Sequence, residues 1–346
     1  MPRIGRARPR EYSNEGDVLS RGCRDKRRAM GRVLLVGGTG FIGRHILRRL
    51  LDVGASVGVV CRHVGGLRDI AGLKGCTVIA GELGSTQVRR MVQEGGWDVV
   101  INVAGTIDQG RDERSRAGAV EEHLTHLLKL VPLLPGSVRR FVQAGSAMEY
   151  GGDPVPHRED MREAPFSGYA VAKVAATHYL QMLHRTAGFP AVVLRLFFVY
   201  GPGQDGGKFL PHAIRQLSEG LTLRLTAGEQ TRDPVRVEDV AEAFVRAAMT
   251  DGIEGEVINV ASGAPTTIAD IAALVQKILG RGRLERGALP YRPGEVMRSE
   301  ADISKLQTLL GFLPSTNFEG NIRAMLSGAH ALEPGRMHGG CERRQS

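Results

Sequence analysis

The segment VLLVGGTGFIG constrains the fold of this chain more than any other stretch of its sequence. A run of apolar residues ends in a turn with three glycines, and a pattern of apolar residues at helical spacing follows. Gly37 permits a sharp turn, Gly40 lets the backbone approach a pyrophosphate, and Gly43 lets the helix pack closely on the strand. The segment therefore predicts a strand–turn–helix unit that binds a dinucleotide, with contacts from Gly37, Thr39, Gly40, Phe41, Ile42 and Gly43.

From Arg32 onward, short β-branched runs alternate with helical patterns, and six of these runs are predicted strands, from RVLLV to AVVLRLFFVYG. Strands that are apolar on both faces and separated by helices indicate a parallel sheet covered by helices on each side. We expect an α/β fold, with a Rossmann-type doubly wound parallel sheet over residues 30–200. Beyond Gly201 the rhythm loosens, and residues 201–327, including the run EVINVA, are predicted to form mainly a smaller C-terminal α/β substrate lobe.

The net charge of +9 lies mostly in one segment. Residues 1–29 hold nine Lys and Arg against four Asp and Glu without apolar periodicity, so we expect a disordered basic leader rather than a nucleic-acid-binding arm. Residues 328–346 are predicted to be a disordered tail. No stretch reaches the ~18 apolar residues of a membrane span. The four cysteines show no C-x-x-C spacing, which favours a cytoplasmic protein without a metal site.

The end of the second predicted strand bears on the choice of cofactor. Chains that bind NAD often carry Asp or Glu there for the ribose 2′-hydroxyl, whereas Arg can accommodate the 2′-phosphate of NADP. This chain has VVCRHV, with Arg62 and no acid. A guanidinium can bind phosphate through two N–H groups, so the sequence favours NADP(H). NAD(H) stays open, because Arg62 could also be an ordinary surface residue.

The segment GYAVAK places Tyr169 and Lys173 one turn apart on one face of a predicted helix. A tyrosine is a poor base at neutral pH, and a nearby ammonium lowers its pKa by stabilising the phenolate. Ser146, at the end of a predicted strand, can donate a hydrogen bond to the reacting oxygen. These three residues are the predicted catalytic group.

Seven segments resemble, in order, those of the extended short-chain dehydrogenases/reductases of the nucleotide-sugar epimerase/dehydratase family: GGTGFIG, DVVINVAG, GSAMEYGG, YAVAK, LRLFFVYGPGQ, RDPVRVEDVAEA and YRPGEVMRSEADISKLQTLLGF. The resemblance runs from about Arg32 to Leu326. It implies a bound NAD(P), a nucleotide-sugar substrate, oxidation or reduction at a sugar carbon, and a homodimer formed through a helix bundle. It also implies cofactor contacts from Arg62, Glu82, Leu83, Val103, Ala104, Gly105, Tyr169, Lys173 and Phe197.

The resemblance also indicates which reaction to exclude. Dehydratases of the family carry Thr-Asp-Glu where this chain has Ser146, Ala147 and Met148, and the Asp and Glu are their acid and base. Ala147 and Met148 cannot exchange a proton, and Glu149 is one position late, so dehydration is disfavoured. We expect Glu149 to face solvent or to stabilise a turn, and Tyr150 to pack beneath the pocket.

Five residues are candidates for substrate binding. Arg232 and Arg292 match positions where relatives hold the substrate diphosphate, although ordinary surface ion pairs with Asp233 or Glu295 are the alternative. Phe198 stands where many epimerases carry Asn, which implies a different hold on the substrate. Lys208 is a weaker phosphate candidate, and Ser146 would contact the reacting sugar oxygen.

Two hydride-transfer reactions stay open. A 4-ketoreductase reduces a nucleotide-activated 4-keto-6-deoxyhexose once, with exchangeable NADPH, whereas a 4-epimerase oxidises C4 and returns the hydride to the other face. The NADP preference expected from Arg62 and the Phe198 substitution favour the reductase. A non-catalytic NADP-sensing regulator is a minor alternative, because such relatives usually lack the tyrosine or the lysine.

Overall fold

The computed structural model describes residues 30–62, 74–105, 113–152 and 154–329. The predicted leader, and residues 330–346 of the predicted tail, lie outside the described residues. The described strands are β1 (Arg32–Val36), β2 (Ser56–Cys61), β3 (Cys76–Ala80), β4 (Val99–Asn102), β5 (Arg140–Ser146), β6 (Ala191–Leu196), β7 (Phe198–Tyr200), β8 (Thr222–Arg224), β9 (Thr231–Arg232), β10 (Pro234–Arg236), β11 (Val257–Val260), β12 (Thr266–Thr267), β13 (Arg283–Glu285) and β14 (Arg298–Ser299).

The described helices are α1 (Phe41–Asp52), α2 (Thr86–Glu94), α3 (Glu113–Val120), α4 (His126–Leu130), α5 (Gly168–Ala187), α6 (Phe209–Ser218), α7 (Val237–Met249), α8 (Ile268–Leu279), α9 (Ser304–Leu310) and α10 (Phe318–Ala329). A π-helical segment, Glu121–Thr125, joins α3 to α4 without a break. Helix α10 runs two residues into the segment predicted as tail from residue 328.

Seven parallel strands form the large sheet, in the order β11–β6–β5–β4–β1–β2–β3. The chain starts in the middle with β1, moves to one edge through β3, and returns to build the other half. Helices α1 and α7 cover one face of this sheet, and α2, α4 and α5 cover the other. The predicted Rossmann-type doubly wound fold is confirmed, and its switch point lies between β1 and β4.

The run EVINVA is not part of the smaller lobe as predicted. Its residues form β11, which pairs in parallel with β6 and is an edge strand of the large sheet. Helix α7 precedes it and packs through Phe244 against the same apolar core as Ile46 and Leu50 of α1. Val257, Ile258 and Val260 are buried. Burying an apolar side chain completely stabilises the folded protein by about 1.5–3 kcal/mol, so these residues favour the position of β11 in the large sheet.

The run AVVLRLFFVYG is divided between two sheets rather than forming one strand. Strand β6 ends at Leu196, and β7 pairs with β10 outside the large sheet. The division falls at Phe197, whose amide donates to the carbonyl of Val260, whereas the next amide, of Phe198, donates to Asp233. An uninterrupted apolar run carries no local signal for such a change of partner.

The smaller lobe has a core of its own. Apolar residues of α6, α8 and α10 pack with the paired strands β8 and β13, including Leu210, Leu217, Leu223, Ile271 and Ile322. The three-stranded sheet β12–β9–β14 is next to these elements, and its strand β9 carries Arg232.

Candidate active site

The turn between β1 and α1 fits a dinucleotide because side chains are excluded from it. Gly37 has a φ of +89°, and a Cβ there would lie 2.7 Å from the amide nitrogen of Ala104. A Cβ on Gly43 would lie 2.1 Å from the carbonyl oxygen of Gly37, so the helix could not approach the turn as it does. No side chain caps the first turn of α1. Backbone amides at such a helix start can bind a pyrophosphate.

A cavity of about 490 Å³ begins at this turn and follows the carboxyl ends of β1, β2 and β4. Nine of the predicted cofactor residues line it: Gly37, Thr39, Gly40, Arg62, Glu82, Leu83, Val103, Ala104 and Gly105. Phe41, Ile42 and Gly43 instead form the first turn of α1, outside the lining. Phe197 is buried among Ala147, Tyr150 and Ala261 and does not line the cavity either.

Four residues that the sequence analysis missed complete the far wall of this cavity: Glu121, Glu122, His126 and Lys129. Burial lowers the pKa of His126, and the neighbouring Arg62 and Lys129 lower it further. Arg62 lies 3.9 Å from Glu122, and Lys129 donates to Glu121 at 2.7 Å. The spacing of residues 122, 126 and 129 places them on one helical face. The sequence does not indicate that this face lies opposite the edge of the sheet.

The three predicted catalytic residues come together beside the cavity. Ser146 ends β5, and Ser167 caps the start of α5, which carries Tyr169 and Lys173. The Ser146 side chain lies close enough to the Tyr169 phenol to lower its pKa, and the Lys173 Nζ lies 5.8 Å from the centre of the Tyr169 ring. Lys173 also donates to the carbonyl oxygen of Ala144 at 2.7 Å.

The π-helical segment connects this group to the cavity. Its His123 ring meets the Tyr169 ring edge-on at 4.9 Å. On its other side, a Cβ at Gly105 would come within 2.2 Å of the His123 ring. Because Gly105 lines the cavity, Tyr169 lies one side chain away from it. Single-turn π-helices are often found at functional sites.

Burial determines the ionisation of Tyr169 and Lys173. It raises the pKa of Tyr169 to about 12, although the neighbouring Ser146 side chain opposes this. It lowers the pKa of Lys173 to about 8, opposed by the negative charge of Glu149. In the protein alone the Tyr169 pKa is therefore raised rather than lowered, since loss of hydration is the larger effect. At neutral pH Tyr169 carries its proton and Lys173 its charge, which suits proton donation.

Glu149 does not face solvent, contrary to one of the two roles expected for it. Its side chain is fully buried, and one oxygen accepts from the Ser146 amide at 2.8 Å. The other oxygen accepts from Thr177 and from Arg195. It also forms a capping box with Ser146, so the expected turn-stabilising contact is present. Tyr150 is buried and donates to Asn259 at 2.7 Å.

The predicted substrate-binding residues differ from one another in their exposure and in their contacts. Arg232 donates to Glu295 at 2.7 Å and to the carbonyl oxygens of Thr231 and Val296, so the alternative ion pair is formed. Arg292 is exposed, Phe198 is half-buried in β7, and Lys208 is the residue before α6. Strand β14 holds the segment after Arg292 against β9, which carries Arg232.

Within the described ranges, no group of three His, Cys, Asp or Glu side chains could hold a metal ion. Cys61 and Cys76 are free thiols, and burial raises the pKa of both. No helix in the described part of the chain is both long and apolar enough to cross a membrane.

Comparisons with known proteins agree with this arrangement. A dTDP-glucose 4,6-dehydratase of Xanthomonas campestris pv. campestris is 27% identical over 321 residues, covering 85% of this chain and 91% of that protein. A UDP-glucose 4-epimerase of Azospirillum brasilense is 25% identical over 332 residues, covering 89% and 95%.

Solved structures give the same result at the level of the fold. UDP-glucuronic acid 4-epimerase from Bacillus cereus, in complex with UDP-4-deoxy-4-fluoro-glucuronic acid and NAD, has a TM-score of 0.80. It is 25% identical, and the match covers 87% of this chain and 99% of that chain. UDP-N-acetylglucosamine 4-epimerase from Methanobrevibacter ruminantium, in complex with UDP-N-acetylmuramic acid, has a TM-score of 0.77 at 27% identity, covering 87% and 98%.

The family resemblance stated from the motifs is confirmed by a match to a family profile. The profile of the NAD dependent epimerase/dehydratase family matches residues 33–261, which include the glycine turn, all but the first residue of the seven parallel strands, and the three predicted catalytic residues. This chain therefore belongs to the NAD dependent epimerase/dehydratase family, enzymes of the extended short-chain dehydrogenase/reductase group that act on nucleotide sugars.

Proposed function

We propose that this enzyme transfers a hydride at C4 of a nucleotide-activated sugar, and that it reduces a nucleotide-activated 4-keto-6-deoxyhexose. The observation that carries the proposal is the cluster of Ser146, Tyr169 and Lys173 beside the dinucleotide cavity. This cluster does not specify the nucleotide base or the sugar, because in the proposed reaction it acts only on the reacting carbon and its oxygen.

Each residue has one role in this reaction. When bound, the reduced nicotinamide supplies the hydride, which adds to C4 as the carbonyl π electrons move to the oxygen. Tyr169 gives its proton to that oxygen, which fits a tyrosine whose pKa lies near 12 in a buried site. Ser146 donates a hydrogen bond to the same oxygen, and the Lys173 ammonium stabilises the phenolate that is left behind.

Dehydration is disfavoured although curated relatives include dehydratases. That reaction needs an acid and a base next to Ser146, and this chain has Ala147 and Met148. Glu149 cannot replace them, because its oxygens already accept three hydrogen bonds inside the protein. Its side chain has no exposed surface from which to reach a substrate.

NADP(H) is the proposed cofactor, with NAD(H) as the alternative. Arg62 lines the cavity at the end of β2, and the Lys129 ammonium lies on the far wall, where it donates to Glu121. A 2′-phosphate is attracted to such a wall, provided that Arg62 leaves its long contact with Glu122. The neighbour structures contain NAD, which favours the alternative.

A 4-epimerase is the second candidate. Relatives over most of the chain include a UDP-glucose 4-epimerase, and neighbour structures include UDP-sugar 4-epimerases. The same three residues would serve it, with Tyr169 taking the proton in the first half-reaction and returning it in the second. The two candidates differ in whether the cofactor leaves after each turnover.

We also propose a cytoplasmic homodimer. Helix α5 packs beside α3 and the π-helical segment, and large apolar side chains of α3, α4 and α5 are exposed. They are Val120, Leu128, Val171 and Met182. A second copy of the chain would cover them and complete a helix bundle. The free thiols of Cys61 and Cys76, on neighbouring strands, suit a reducing compartment.

One purification separates the candidates. We expect protein that loses its cofactor on dialysis and then oxidises added NADPH only when a 4-keto sugar nucleotide is present. The control is Tyr169→Phe, which should bind NADPH without oxidising it. Cofactor that stays bound through dialysis, together with interconversion of 4-epimeric sugar nucleotides, would replace the reductase by the epimerase.

A further inference from the structure

Glu149 belongs to a buried charged cluster that the proposed reaction does not use directly. Its carboxylate joins three elements: the Ser146 amide of β5, the Thr177 hydroxyl of α5 and the Arg195 guanidinium of β6, at 2.8 to 2.9 Å. Glu149 has no exposed surface, and the Arg195 side chain is only 1% exposed. Burying such a pair costs several kcal/mol in lost hydration, so stability alone does not explain it.

The cluster carries a net negative charge. Arg195 is shared between two carboxylates, since it also donates to Glu163 at 2.6 Å, and its guanidinium lies over the Tyr150 ring. One positive and two negative groups leave one negative charge in excess. The Glu163 carboxylate is half-buried at the outer side of Arg195, whereas the Glu149 carboxylate lies on the inner side.

The inner side is the catalytic side. Thr177, which donates to Glu149, follows Lys173 by one turn of α5, so both point from the same helix face. Lys173 in turn donates to Ala144, two residues before Ser146 on β5. The Glu149 carboxylate and the Lys173 ammonium are therefore neighbours between the end of β5 and α5.

We propose that Glu149 is a positioning residue of the catalytic group: its carboxylate fixes the Ser146 backbone and keeps a compensating negative charge beside the buried Lys173 ammonium. The catalytic part of this inference, that Glu149 positions Ser146 for the reaction, rests on the proposed hydride-transfer function. Its electrostatic part rests on the geometry of the folded protein alone.

The direction of the effect follows from the signs of the charges. Removing the Glu149 charge destabilises the Lys173 ammonium and relieves the repulsion on a Tyr169 phenolate, so both groups lose their protons at lower pH. The other titratable and charged groups around the cluster are Arg195, Glu163, Glu159, Tyr150 and His157, and across Tyr169 there is His123. All of these residues are retained in Glu149→Gln.

The test follows the Lys173 proton by nuclear magnetic resonance of lysine labelled at the ε-carbon. The chain has seven lysines, and the Lys173 signal is assigned by its loss in Lys173→Met. In the native protein the signal should titrate with a pKa of about 8. In Glu149→Gln the midpoint should fall by about one pH unit, as expected for two charges several ångströms apart in a partly polar site.

The matched control is Glu163→Gln, which removes the same charge from the outer side of Arg195 and should leave the Lys173 midpoint unchanged. An unchanged midpoint in Glu149→Gln, or an equal shift in Glu163→Gln, would overturn the proposal. Glu149→Asp is the second variant, should Glu149→Gln not fold. It keeps the charge but shortens the reach to Ser146, so the midpoint should stay native while kcat falls at least about tenfold and cofactor affinity is kept.

Native turnover in Glu149→Asp, or a midpoint lowered as far as one pH unit, would also overturn the proposal. The titration needs no substrate. If the native protein fails to reduce any 4-keto sugar nucleotide, the proposed function fails while the Lys173 measurement still decides the role of Glu149.

Discussion

Lys173→Met should make this protein more stable at neutral pH while removing its activity. Lys173 is 4% exposed, and its ammonium donates to the carbonyl oxygen of Ala144. Burial lowers its pKa from 10.5 to about 8, so the folded protein binds this proton less tightly than the unfolded chain does. Methionine fills a similar volume and brings no charge into the interior.

The sign and size of the effect follow from linkage. Below pH 8 the lysine is protonated in both states, and the shift of about 2.5 units costs the folded state about 3 kcal/mol. Between pH 8 and 10.5 the unfolded state binds more of this proton, so the native protein becomes more stable as pH rises through this window. Losing the hydrogen bond to Ala144 offsets about 1 kcal/mol. Lys173→Met should thus gain about 2 kcal/mol at pH 7 and close to zero at pH 9.5.

Urea unfolding of both proteins at pH 7 and pH 9.5 measures this difference. Lys277→Met is the control, since the Lys277 side chain is 71% exposed and its replacement should change stability little at either pH. Equal or lower stability of Lys173→Met at pH 7 would refute the reasoning. So would a gain that persists unchanged at pH 9.5, because an apolar packing effect does not depend on the lysine proton.

Three further changes test the cofactor site and the catalytic group. Tyr169→Phe keeps the ring against His123 but removes the proton donor, so turnover should fall by about 10²–10⁴-fold with NADPH affinity nearly native; retained turnover contradicts the assigned role. Arg62→Glu should weaken NADPH binding far more than NADH binding in a fluorescence titration, and equal losses would remove the argument for NADP. Gly43→Ala places a methyl group 2.1 Å from the Gly37 carbonyl oxygen, so both cofactor binding and melting temperature should fall; native values for both would show that the turn can relax.

The features that could be predicted from the sequence are those determined by residues of a single element or a single turn. Strand β1 was predicted at residues 32–36 and has those bounds, because its apolar run ends at a glycine that requires a positive φ. Tyr169 and Lys173 were paired through helical spacing alone. Ser146 was added from its place at a strand end, which the parallel sheet brings to the same edge as the glycine turn.

The features that were missed depend on contacts between distant residues. Glu149 and Arg195 are 46 residues apart, and nothing near Glu149 in the sequence indicates a buried cation. Strand β11 joins the large sheet beside β6, which lies much earlier in the chain, a partnership that its apolar residues allow without specifying. The far wall of the cavity, with His126 and Lys129, could not be predicted, because it depends on how α4 packs against the edge of the sheet.

The paired residues Val193 of β6 and Val257 of β11 are 64 positions apart in the sequence. No local pattern spans such a distance, because helical and strand periodicities repeat within a few residues. Pairing at this range is decided by which edge of the sheet is open when the rest of the fold has formed.

The distribution of buried charge supports a catalytic rather than a purely structural reading of this sheet edge. Lys173 of α5, Arg195 of β6 and Glu149 of the turn after β5 are all buried, and each loses hydration there. An apolar core of the same volume would cost less, since replacing buried ion pairs by well-packed apolar residues is often neutral or stabilising. Perturbed ionisable groups concentrate where proton transfer needs them, and here they surround the Ser146 and Tyr169 hydroxyls. The stability that Lys173→Met should recover is therefore the part of the folding free energy that this site gives up to keep an ammonium beside its tyrosine.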